Sequence, residues 1–246
     1  MATLPARALD ALPAHHPCAG CTVRDTAVCG VLECDDLAEF KSSGCTQRLE
    51  AGQPLFHEGD PATQVYNVTE GALKLTKLLP DGRRQVLGFI LPGDFLGISL
   101  GGEHAYSAEA LQRTRMCRFA RSRFADFAEE HPILEREVYR VAAHELAAAQ
   151  AQMLLLGRKS ALERVASFLL DMEDRQRRSP GAVRNEVDLP MSRSEIADYL
   201  GLTKETVSRV LAELKTRKLI RLVTLNRVAL LDRESLFELA EGFGEA

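Results

Sequence analysis

The sequence predicts an α+β chain. An N-terminal double-stranded β-helix (jelly roll) sensor domain is followed by a long dimerisation helix and a C-terminal winged helix-turn-helix domain. Three observations predict this. Turn glycines at 59, 71, 82 and 93 recur every 11 or 12 residues among short apolar runs. A stretch over 133–156 lacks Gly and Pro and is rich in Ala and Leu. Two short amphipathic segments are pinched around Gly201. The expected divisions are 1–47, a cysteine-bearing arm; 48–132, the jelly roll; 133–157, the dimerisation helix; and 158–246, the winged domain.

The 246 residues, 46% hydrophobic and 27% charged, suit two globular domains. No apolar run approaches the ~20 residues needed to cross a membrane. The first 17 residues contain prolines and lack an apolar signal core, so a cytoplasmic location is expected. Five of the six cysteines then fall within 18–45: Cys18, Cys21, Cys29, Cys34 and Cys45, with Cys117 far away. Without an export signal, a disulfide framework is disfavoured. The Cys18-x2-Cys21 pair places two sulfurs on one turn, and either zinc or an iron–sulfur cluster accepts four thiolates. The residues alone leave that choice open, alongside plain free thiols.

From Arg48 to about Phe119, short strands are expected at 64–68, 72–78 and 85–91. Glu58-Gly-Asp-Pro61, Glu70-Gly71, Pro80-Asp-Gly82 and Pro92-Gly-Asp94 are their turns. Even spacing of this kind predicts a double-sheet jelly roll. Arg121–Glu130 reads as a short helix ended by His131-Pro132. In the long helix, Leu134, Val138, Val141, Glu145, Ala148, Gln152 and Leu155 recur at heptad-like spacing, and Leu146, Met153 and Leu156 form a second apolar edge. One edge can pack on the barrel while the other pairs with a twin. Ala147, Ala148 and Ala149 place no acidic charge at the centre of that seam. Gly157 is expected to loosen the helix end.

Ala161–Asp174 is amphipathic and opens the last domain, and 175–185 reads as a loop. Ser192 with Glu195 forms a capping box, Gly201 makes the turn, and Thr203 caps a second helix with Val207, Val210, Leu211 and Leu214 on its inner side. Glu205, Ser208 and Arg209 lie together on the opposite side. This is what a recognition helix in the DNA major groove requires. Arg209 suits guanine O6 and N7, and Glu205 the cytosine amine. Lys204, Lys215, Arg217 and Lys218 suit phosphates. The chain carries −4 overall, yet residues 158–227 hold fifteen Lys and Arg against ten Asp and Glu. The positive surplus therefore lies in the domain with the two-helix motif. Residues 219–225 and 228–231 make a hairpin, the wing, and 235–240 a last helix. No nucleophile–base pair or glycine-rich phosphate loop is present, so an enzyme is not expected.

This order of parts resembles the cyclic-AMP receptor and fumarate–nitrate reduction regulator (Crp/Fnr) superfamily of transcription factors over nearly the whole chain. Glu205-Thr-Val-Ser-Arg209 is similar to the Glu-x-x-Ser-Arg motif of the fumarate–nitrate (Fnr/FixK-like) branch. The resemblance implies a homodimer that binds TTGAT-type inverted repeats, contacting DNA through Ser192, Thr203, Lys204, Glu205, Ser208, Arg209 and Lys215. Oxygen sensors of this branch hold a [4Fe-4S] cluster on three N-terminal cysteines and one from the barrel. Cys18-x2-Cys21-x7-Cys29 plus Cys117 resembles that set, while Cys34 and Cys45 lie outside it. Tyr106-Ser-Ala108 stands where cyclic-AMP binders have Arg-Ser-Ala, so no cyclic nucleotide is expected. RNA polymerase is the implied partner, with the Lys77–Arg84 turn as a candidate contact. The alternative is the same DNA-binding regulator driven by zinc, thiol oxidation, haem and nitric oxide, or a small effector.

Overall fold

A computed structural model describes residues 16, 18–99, 101–177 and 183–243. Two four-stranded sheets face each other. Strands β1 (Gly44–Leu49), β3 (Gln64–Glu70), β6 (Phe95–Leu96) and β8 (Thr114–Ala120) form one, in the order β1-β8-β3-β6. Strands β2 (Pro54–Phe56), β4 (Leu73–Leu78), β5 (Arg84–Ile90) and β7 (Ser107–Ala110) form the other, in the order β2-β7-β4-β5. Val68, Leu73, Ala108 and Met116 are fully buried between them. All four expected turn glycines take positive φ, between +84° and +99°. At Gly71 the tight approach of Thr114 excludes a side chain as well. The first strand begins four residues before the boundary expected at 48. It pairs with β8 from Gly44↔Phe119 to Leu49↔Thr114, and a Cβ at position 44 would collide with the Phe119 ring.

The arm is docked rather than trailing. A 3-10 turn at Val28–Val31 and helix α1 (Cys34–Ser42) bring Val28, Leu32, Leu37 and Phe40 onto the outer face of the first sheet. Phe40 stacks on Phe119 at 4.2 Å and meets Phe124 and Phe127 of α2 (Arg121–Glu130) at 5.8 and 5.2 Å. Helix α3 (Pro132–Arg158) starts with Pro132, whose missing N–H costs nothing in a first turn. It passes through Gly157 instead of loosening there. The chain turns at Lys159, and Ser160 and Glu163 close a capping box for α4 (Ala161–Gln176). Leu134 and Leu155 are buried near the two ends of α3, but residues 142–151 are exposed throughout. No described helix is long and apolar enough to cross a membrane.

The last domain adds α5 (Arg193–Leu200), α6 (Lys204–Thr216), α7 (Arg233–Ala240) and a sheet of β9 (Glu186–Asp188), β10 (Ile220–Thr224) and β11 (Arg227–Leu230), ordered β10-β11-β9. The expected hairpin thus gains a third strand, anchored by buried Val187 and by Arg227 on Asp188 at 2.7 Å. Helix α4 runs two residues beyond the expected end, and part of the expected loop, 178–182, lies outside the described residues.

The two domains share one core. Ala72, Val86, Phe89 and Leu91 from the barrel are continuous with Phe168, Leu169, Ile196 and Leu200 of the winged domain. Phe89, Phe168 and Tyr199 form an aromatic trio with centroids 5.3–6.2 Å apart.

Candidate nucleic-acid interface and cysteine pocket

The helix-turn-helix is built by local signals that all agree. Ser192 Oγ accepts from the Glu195 amide at 3.2 Å, and the Glu195 carboxylate accepts from the Ser192 amide at 2.7 Å. Gly201 ends α5 in the left-handed region at φ +61°, and Thr203 Oγ1 accepts from the Thr206 amide at 3.1 Å to start α6. Val207, Val210, Leu211 and Leu214 are buried. Lys204, Glu205, Ser208, Arg209 and Lys215 are exposed. Ser208 Oγ donates back to the Lys204 carbonyl at 2.9 Å, leaving its lone pairs outward. Arg209 and Glu205 have no ion pair among the described residues. Their charges are therefore free for base edges. Arg217, by contrast, is paired with Glu213 on its own helix.

Ser192, the N-cap of α5, is exposed as well. It lies at the mouth of a cavity of about 310 Å³ between the domains, with Gly52, Lys74, Glu109 and Asn226. Here Lys74 of β4 lies 2.7 Å from Glu109 and 2.9 Å from Glu195. Burial pushes the Glu195 carboxyl up, but hydrogen bonds from Lys74 and Ser192 outweigh it and hold it below the usual range. Arg84 grips Asp198 at 2.7 Å, and Gln85 donates to the Asp198 carbonyl at 2.6 Å.

Sequence reasoning missed these contacts and also Arg164. The Arg164 guanidinium donates at 2.9 Å to the carbonyls of Leu156, Lys159 and Leu200, tying the end of α3 to the end of α5. Gln152 of α3 adds a 2.9 Å bond to the Tyr199 carbonyl. The long helix is thereby bonded directly to the reading motif.

At the other end, Cys18, Cys29 and Cys117 all join the apolar cluster under the arm. Burial raises the Cys18 thiol to about 11 and the Cys29 thiol to about 12, with Cys117 and Cys21 adding to both. All six cysteines are free thiols. Among the described residues, no three His, Cys, Asp or Glu side chains are grouped as a ready-made ion site. Cys117 stands opposite Thr46 on one side and Asn67 on the other. Lys41 Nζ donates to its sulfur at 3.1 Å.

Tyr106 is half-buried near the Phe56 ring, 5.9 Å away, and Phe56 in turn stacks on His104 at 3.5 Å. The neighbouring Ser107 hydroxyl accepts from the Glu58 amide at 3.0 Å.

Comparison with known proteins bears on both domains. Residues 163–239 match the Crp-like helix-turn-helix domain family, and residues 46–131 match the cyclic nucleotide-binding domain family. The nitrogen fixation regulation protein FixK of Bradyrhizobium diazoefficiens is 47% identical, covering 86% of this chain and 89% of that protein. The transcriptional activator protein FnrL of Cereibacter sphaeroides is 37% identical over 91% of each. The solved structure of FixK2 from Bradyrhizobium japonicum superposes with a TM-score of 0.75 at 39% identity, covering 82% of this chain and 98% of that one. Together with the exposed reading helix, these similarities establish that the chain belongs to the Crp/Fnr family of DNA-binding transcription regulators, in its Fnr-like branch.

Proposed function

We propose that the protein is an oxygen-responsive dimeric regulator that binds TTGAT-type inverted repeats and carries a [4Fe-4S] cluster on Cys18, Cys21, Cys29 and Cys117. One observation carries the reading. Of the four cysteines singled out by spacing, Cys18, Cys29 and Cys117 meet in one apolar cluster under the arm, and Cys21 is close enough to raise the Cys18 and Cys29 thiols. The donor set suits the group: Cys18, Cys21 and Cys29 from the arm and Cys117 from the barrel, with Cys18, Cys29 and Cys117 in apolar surroundings. A cluster takes one thiolate per iron, so it does not require the compact tetrahedron of a zinc site.

When bound, such a cluster supplies an oxygen-labile link between arm and barrel. The chain's own residues do the rest. The arm covers Phe119, Phe124 and Phe127, which pack toward Leu134 at the start of α3. Arg164 and Gln152 connect the far end of α3 to the reading motif. Ordering of the arm thus bears on helix pairing and on the placement of α6. The pairing surface is the exposed stripe of Tyr139, Leu146 and Met153, at 68%, 62% and 72% exposure and seven residues apart. Two recognition helices then address two half-sites.

RNA polymerase is the proposed partner at the β4–β5 turn. Within that segment, however, Lys77 is engaged with Glu58 and Arg84 with Asp198, leaving Leu78 and Leu79 as its exposed apolar part. No cyclic nucleotide is proposed as effector, because Tyr106 supplies no guanidinium for a phosphate.

The test is an absorption spectrum with iron, sulfide and zinc analysis on protein purified without oxygen, repeated after admitting air. About four irons and four sulfides per chain, bleaching in air, are expected. A colourless protein, or one holding a single zinc, overturns the oxygen reading and leaves DNA binding intact.

A further inference from the structure

We infer that Lys41 and Asn67 form a polar backing to the cysteine pocket that stabilises the iron–sulfur group and slows its loss to oxygen; this rests on the cluster proposed above. Asn67 is 3% exposed, and its Oδ1 has no hydrogen-bond partner. Leaving such an atom unsatisfied is costly, so a buried orphan requires a reason. Its position supplies one. Asn67 is directly opposite Cys117 across the β3–β8 pair and opposite Phe95 across β3–β6. Opposed residues in an antiparallel pair project from the same face. That face is the one covered by the arm, where Phe95 and Cys117 meet Cys18 and Cys29. Half a turn of the amide exchanges its oxygen and nitrogen without changing its shape. The buried position then presents an N–H donor, which a thiolate or sulfide sulfur can accept.

Lys41 is the second member. It sits in the last turn of α1, and its ammonium donates to Cys117 Sγ at 3.1 Å. Among the described residues it has no carboxylate partner. Its charge also acts on Cys18, so it serves sulfurs from both the arm and the barrel. Four thiolates around a cluster core of charge +2 leave a net −2 in an apolar pocket, which needs compensation by cations and donors.

The same placement governs oxygen reactivity. Loss of one electron from a bound cluster to dioxygen, which would become superoxide, would raise the local charge by one unit. An ammonium against a ligand sulfur opposes that rise, and an amide N–H does so more weakly. Neither residue is a ligand. Both are positioning and tuning residues.

The experiment compares wild type, Lys41→Met, Lys41→Arg, Asn67→Leu and Asn67→Asp, all reconstituted without oxygen. Iron and sulfide content, midpoint potential and the rate of bleaching in air are measured. Lys41→Met and Asn67→Leu are expected to load iron and sulfide as wild type does, to shift the midpoint potential negative and to bleach several-fold faster. Asn67→Asp should be faster still, and Lys41→Arg should restore the wild-type rate. Fully loaded variants with unchanged potential and bleaching overturn the inference while sparing the cluster. Wild type that takes up no iron and sulfide overturns both.

Discussion

Lys74 Nζ, on the barrel, lies 2.9 Å from Glu195 Oε1, the carboxylate that also closes the capping box of α5 through the Ser192 amide. One side chain thus defines the start of the reading motif and fixes that motif to the sensor domain. The Lys74 and Glu195 side chains are almost completely enclosed, and Glu109, the third member, is partly exposed. The Glu195 carboxyl is held below its ordinary range, so the stability it contributes is present above about pH 4.3 and is lost as pH falls through the lowered value.

Lys74→Met is expected to destabilise the folded chain by the lower part of the ~3–5 kcal/mol range for breaking a buried pair, since Glu109 retains access to water. Urea denaturation measures it. A double-mutant cycle with Glu195→Gln should return a clear coupling energy, whereas strict additivity would mean that the clamp carries no stability.

Arg209→Ala is expected to cost about 1–3 kcal/mol per half-site and to relax the guanine preference. Lys215→Ala should weaken all sequences alike and reduce the salt slope by about 1. Titration of a TTGAT-type palindrome and its single-base variants at several salt concentrations separates the two. Unchanged binding by Arg209→Ala would remove that residue from the reading surface.

These effects divide along what a sequence can reveal. The helix-turn-helix was legible because its signals are local: Ser192 and Glu195 are three residues apart, and Gly201 and Thr203 punctuate the turn. The barrel was legible because its turns require positive φ and glycine marks them. Strand β9, with three residues, is too short to show a period. The clamp was invisible for a different reason: Lys74 and Glu195 are 121 residues apart, and nothing near either one marks its partner. Asn67 likewise reads as an ordinary strand residue until the ladder sets it opposite Cys117. The four cysteines showed through their spacing, but their backing did not.

The exposed stripe on α3 leads to a prediction about assembly. Leu146→Glu sets a carboxylate at the middle of the seam, where its twin would face it, and like charges at such positions repel. The variant should sediment as a monomer at concentrations where wild type is a dimer, with DNA affinity lost in proportion. Because Leu146 is exposed in the single chain, the fold and melting temperature of the variant as a monomer should be unaffected. A Leu146→Glu dimer as tight as wild type would place the interface elsewhere.

His104 gives the barrel a measurable response to acid. It is buried and stacks face to face on Phe56 at 3.5 Å with an interplanar angle of 5°. Burial depresses its pKa, a neighbouring Asp60 partly opposes this, and Arg121 reinforces it. A base with a depressed folded value binds a proton more readily when unfolded. Its contribution to stability is therefore complete above the ordinary imidazole value of about 6.5 and declines as pH falls from there toward the folded value. His104→Phe keeps an aromatic ring on Phe56 and removes the proton. Thermal melts of wild type should lose more stability than those of His104→Phe between about pH 7.5 and pH 5.5, with the two curves parallel above that window. Parallel curves throughout would mean that His104 titrates alike in the folded and unfolded chains, and that the Phe56 stack carries no proton linkage.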